Sequence, residues 1–159
     1  MESNYRFVFI VSLATVTILL VLNNQLMLGP LLVPISNDLN TSIALTGQLV
    51  AITSSTWAIS GPSGGPFSDT YGRKPVVLVG IATMIIANLL TATAKQFISL
   101  AIGRLLLGLG AGLVPPTIVA TIGDHVDTKH RGQAIGFMMA FSRLGSILGL
   151  PLIAMLADS

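Results

Sequence analysis

Two arginines stand inside long apolar runs of this chain, Arg104 and Arg143. A guanidinium keeps its charge and is costly in hydrocarbon, so it must face protein, a water-filled cavity or an anionic partner. Arg104 opens the string RLLLGLGAG, in which Gly108 and Gly112 follow at steps of four and share one side of a helix. Glycines so placed admit a close neighbour, which places the arginine toward protein; the simpler alternative is a side chain that snorkels outward or makes a structural pair. In the next run Gly132 and Gly136 lie within about 20° of the direction of Arg143 on a helical wheel, while Gly145 and Gly149 point elsewhere. Two packing faces suit a bundle interior, where Arg143 either holds an anionic group or pairs with an acid supplied from elsewhere.

A third cluster is GPFSDTYGRK, from Gly65 to Lys74, in the polar gap between two apolar runs. Gly65 and Gly72 allow close packing and a tight turn, Asp69 can sit on the positive amino end of another helix, and Arg73 and Lys74 anchor the gap. Uncharged polar groups also recur inside the runs. Asn23, Asn24 and Gln25 either hydrogen-bond a solute across a cavity or glue helices together; Gln48 and Ser55, two turns apart, form a stripe that is a poor match for lipid. Trp57 reads as packing rather than as a solute-stacking ring. All six acids, Glu2, Asp38, Asp69, Asp124, Asp127 and Asp158, fall in loops or at the ends, so the sequence offers no carboxylate at membrane depth.

The elements that position these residues are long and apolar. The chain of 159 residues is 52% hydrophobic and only 9% charged, and a soluble chain of that size cannot bury so much. Charged and turn-forming residues divide it into five expected spans, at about residues 7–35, 43–67, 75–94, 97–122 and 132–157, each long enough to cross a bilayer with some tilt. The expected class is therefore an all-α polytopic membrane protein forming a single segment, 1–159. Arg6, Arg73, Lys74, Lys129 and Arg131 fall on one side and Lys95 on the other, which puts the amino terminus in the cytoplasm. The first run is followed by Asn23, Asn24 and Gln25 rather than by a small-residue cleavage site, and so reads as a retained span. The absence of cysteine rules out disulfides and thiolate metal sites, a net charge of +2 does not call for nucleic acid, and His125 and His130 read as solvated loop residues rather than metal ligands. No phosphate-binding loop, dinucleotide fingerprint or nucleophile elbow is present, so neither a cofactor nor an enzyme is expected.

The Gly65 to Lys74 string fits GxxxDxxGRK, and in this the chain resembles the major facilitator superfamily of secondary transporters. RLLLGLGAG resembles the fourth-helix motif of proton-coupled efflux members, and GSILGLPLIAML, with Gly149 and Pro151 spaced by one residue, resembles the fifth-helix motif of drug and sugar exporters in its arabinose-efflux form. The resemblance implies the first five helices of a bundle whose second half is absent, a conformational latch at Asp69, Arg73 and Lys74, and a coupling role for Arg104. It further implies ion-driven efflux of a small organic solute by alternating access, with the lipid bilayer, the solute and protons as partners in a cell membrane. Gln25 stands where proton-coupled relatives often carry an acid. The competing expectations are a truncated, non-transporting chain or a subunit completed by a second chain, and an importer on the same fold.

Overall fold

A computed structural model describes residues 2–157, with side chains at position 8 and over 10–147. The described chain is helical throughout: α1 (Glu2–Leu26), α2 (Leu28–Asp38), α3 (Ile43–Tyr71), α4 (Arg73–Ala92), α5 (Phe97–His125) and α6 (Thr128–Ala157). The all-α class expected from the sequence is the one adopted. Three stretches among the described residues are both long and apolar enough to cross a membrane, namely Ile10–Asp38, Arg73–Ala92 and Phe97–His125. The helix α3 is long enough too, but its serines, threonines and Gln48 dilute its apolar character.

Within the first of these apolar stretches, α1 gives way to α2 at Met27. Pro30 is the physical reason. Its ring nitrogen has no hydrogen to donate to the carbonyl of Leu26, and the ring crowds that carbonyl, so the helix is interrupted a turn earlier. Backbone direction is kept nonetheless, since Met27 N–H still donates to the Asn23 carbonyl at 2.9 Å. At the far end of α2, Asn40 takes a positive φ of 48°. Ser42 then caps α3 by accepting from the Leu45 N–H at 3.1 Å.

The helix α5 is the centre of the packing, with its most extensive interfaces against α3 and α4. Small residues make this possible. On the α3 side, a Cβ at Gly108 would meet the Thr53 carbonyl at 2.5 Å, and one at Gly112 would meet the Trp57 carbonyl at 2.9 Å. On the α4 side, a Cβ at Gly110 would lie 2.6 Å from the Gly80 carbonyl. Helices that approach backbone to backbone also exchange hydrogen bonds: Ser60 Oγ donates to the Gly108 carbonyl and Thr117 Oγ1 to the Gly64 carbonyl, each at 3.2 Å. Replacing Thr117 with valine keeps the volume and removes the bond, and is expected to lower stability by about 1 kcal/mol in a detergent unfolding titration.

The helices α1 and α6 form a second pair. Gly145 of α6 receives the Leu19 side chain, and Ser142 Oγ donates to the Thr15 carbonyl at 3.2 Å. One apolar cluster, with Val21, Met84, Leu107, Val114 and Met138 among its members, spreads over α1, α4, α5 and α6; a smaller one of Leu28, Leu49 and Leu100 joins α2, α3 and α5.

Candidate functional site

The GPFSDTYGRK string is not the loop that the sequence suggested. The helix α3 runs through it to Tyr71 and α4 starts at Arg73, leaving Gly72 alone between them with φ 93° and ψ 152°. A side chain is strained at that φ, so glycine is required there. The close packing expected of Gly65 belongs instead to its neighbour: nothing approaches Gly65, whereas a Cβ on Gly64 would meet the Leu113 carbonyl at 2.9 Å.

This one-residue turn brings three helices to a single charged corner. Arg73, first residue of α4, pairs with Asp69 of α3 at 2.5 Å and with Asp124 of α5 at 2.8 Å. It also donates to Ser68 Oγ at 2.5 Å. The two carboxylates are well exposed, so each pair is weak by itself and can open without a large penalty. Lys74 is exposed and joins neither pair. Beside the corner, an apolar cleft of about 410 Å³ lies between α1, α4 and α5, bounded at one end by Arg73, Lys74 and His125.

Arg104 lies elsewhere, eighth in α5 and only 1% exposed. Its Nε is buried without a hydrogen-bond partner, as are Asn24 Oδ1 and Gln25 Nε2. Asn23 differs from these two neighbours in donating to the Leu19 carbonyl at 3.0 Å. Ion pairs among the described residues all belong to Arg73, so no carboxylate answers the buried guanidinium.

Other expected site residues face outward. Arg143 is exposed rather than interior, and Gly132 and Gly136 on its side meet nothing within 4 Å. The reason is that α6 commits Ser142, Gly145 and Ser146 to the bundle, which turns the Arg143 side away. Gln48 and Ser55 are exposed on α3, while Thr53 and Ser60 point inward. Gly149 and Pro151 lie within α6 and Glu2 and Arg6 within α1, but their packing is outside what is described, and Asp158 lies outside the described residues. No group of three or more metal-binding side chains occurs among the described residues. The sequence reading missed Asp124 as a site residue. Its place at the end of the fourth span, on the same side as Arg73, was the available signal.

Comparison with known proteins agrees with this architecture. The family model described as Major Facilitator Superfamily matches residues 8–159. The chain belongs to that superfamily. Among relatives of the superfamily, an "Uncharacterized MFS-type transporter YwfA" from Bacillus subtilis is 28% identical over 95% of this chain and 37% of its own length. "Multidrug resistance protein 1" of the same organism is 32% identical over 76% of this chain and 31% of its own length. "Quinolone resistance protein NorA" of Staphylococcus aureus is 28% identical over the same shares, 76% and 31%. The chain thus spans about a third of the length of the curated relatives it matches.

Proposed function

We propose that this chain supplies part of a secondary active carrier that exports a small organic solute across the cell membrane by alternating access, driven by an ion gradient. The observation that carries the reading is the Arg73 corner. A single guanidinium there ties three helices through two exposed ion pairs, the kind of contact that forms and breaks at little cost as helices rearrange. Relatives named for multidrug and quinolone resistance support export rather than import. The amino terminus is assigned to the cytoplasm by the placement of Lys and Arg, which puts the corner on the cytoplasmic side as a latch of Asp69, Arg73 and Lys74.

The exposed polar stripe of α3 and the open Gly132, Gly136 and Arg143 side of α6 favour a further element of the reading, in which these faces are covered by a second half of the bundle or by another chain. A central solute path would then run between that partner and this segment. The deciding experiment uses everted membrane vesicles containing the intact protein, with an imposed pH gradient and a labelled drug-like solute. Gradient-dependent accumulation inside everted vesicles is expected. Depletion would point to an importer, and no movement of any solute would favour a non-transporting subunit.

A further inference from the structure

The cleft of about 410 Å³ beside the Arg73 corner follows three helices, from Ile10 to Thr17 on α1, Arg73 to Ile81 on α4 and Ile118 to His125 on α5. At the rise of a helix those segments are about 10 to 12 Å long, which fits within the roughly 15 Å of hydrocarbon in one leaflet. The helices α1 and α4 share no extensive interface, so the gap between them is floored by Ile118 and Ile122 of α5, both buried. Leu13 and Leu78 line it while standing exposed, which opens it sideways.

Polar groups able to meet a ligand gather at one end. Thr17 and Thr121 also line the cleft, but their hydroxyls donate to the Leu13 and Thr117 carbonyls, each at 2.8 Å. Arg73 and Lys74 begin α4 and His125 ends α5, so the basic end lies where the helices leave the hydrocarbon. Arg73 commits Nε and Nη1 to the corner, whereas its Nη2 enters none of those bonds and Lys74 joins no ion pair among the described residues. His125, whose Nδ1 donates to the Thr121 carbonyl at 2.9 Å, closes that end. Among the described residues no carboxylate lines the cleft; Asp69 and Asp124 stand outside it, engaged by Arg73.

We propose that this cleft binds one anionic phospholipid, with an acyl chain laid against α5 and the phosphate held by Arg73 Nη2 and Lys74. A tail in the trough and an anion at its basic end satisfy both halves of the site at once, as basic pockets between membrane helices do. A zwitterionic lipid brings a cation that finds only Arg73 and Lys74 there and no carboxylate. An apolar helix would fill the trough without answering the basic end, so the charges select a lipid.

The test is titration of the intact protein in nonionic detergent with dioleoylphosphatidylglycerol, read as lipid adducts by native mass spectrometry. Dioleoylphosphatidylcholine supplies the same tails under a zwitterionic headgroup, and glycerol phosphate supplies the anion without tails. One tight phosphatidylglycerol adduct is expected, at least about tenfold stronger than that of phosphatidylcholine and not displaced by glycerol phosphate. Lys74→Gln removes a cation and is expected to bring phosphatidylglycerol down toward the phosphatidylcholine level. Thr17→Phe fills the deep end, leaves the charges alone and is expected to weaken the adduct about tenfold. Equal binding of the two lipids would show that the basic end reads no charge, and displacement by glycerol phosphate would make it a site for soluble anions. Absence of a discrete adduct would mean that another part of the protein fills the trough. Each of these overturns the proposal, as does wild-type affinity in either folded variant. Should neither variant fold, the wild-type comparison of the two lipids and glycerol phosphate decides alone.

Discussion

Gly112→Leu is expected to abolish the folded bundle. A Cβ at this position already meets Ser60 Oγ, the Trp57 carbonyl at 2.9 Å and the Gly61 nitrogen at 3.0 Å, and two of those three atoms are backbone that cannot rotate away. Accommodating a leucine would force α3 and α5 apart along their whole seam and break the bond from Ser60 to the Gly108 carbonyl. Overpacking of this kind costs about 3 kcal/mol or more, a large share of what holds a domain together. Loss of the monodisperse detergent-solubilised species by size-exclusion chromatography is the measurement. Gly65→Ala is the matched control, since nothing approaches that position, and it should behave as wild type.

Reversing the charge at the corner is expected to have the largest effect on transport. Arg73→Asp would set a third carboxylate beside Asp69 and Asp124, turning two attractions into repulsions and freeing Ser68. Because the groups are exposed, the fold should survive, with little change in thermal midpoint. Transport should fall about tenfold or more, as expected when a contact that biases one conformation is removed. The double variant Arg73→Asp with Asp124→Arg restores one pair in reverse order and should recover part of the rate. Equal inactivity of the single and double variants would show that the guanidinium acts through something other than the pair with Asp124. Lys74→Gln, which breaks neither pair, should lose much less.

Much of the architecture is written in the order of residue types. Apolar runs separated by charge locate the helices, and the four-residue spacing of Arg104, Gly108 and Gly112 identifies the side of α5 that α3 packs against. Periodicity alone stops there. It gives the direction of one residue relative to another on a helix, but the neighbour is a tertiary fact, and that is why Arg143 turned out to face away from the bundle. Gly64 and Gly65 are indistinguishable in sequence and differ only in what α5 places beside them. The pairing of Arg73 with Asp124 spans 51 positions and depends on where two helix ends meet. The interruption at Met27 was legible in the Gly29-Pro30 step, though a long apolar run hides it.

The crowding of α5 has a consequence for how such a chain can change over generations. Four of its glycines, Gly103, Gly108, Gly110 and Gly112, face backbone on two neighbours, so nearly every added atom there is penalised, whatever solute the protein handles. The helix α1 is differently placed, holding its register through Leu19 and the Thr15 carbonyl while Asn24 Oδ1 and Gln25 Nε2 have no hydrogen-bond partner. Selection for a new solute can therefore act at Asn24 and Gln25 of α1 with less structural risk than on the glycine sides of α5. Random mutagenesis scored for altered solute preference should return substitutions on α1 far more often than on the glycine sides of α5.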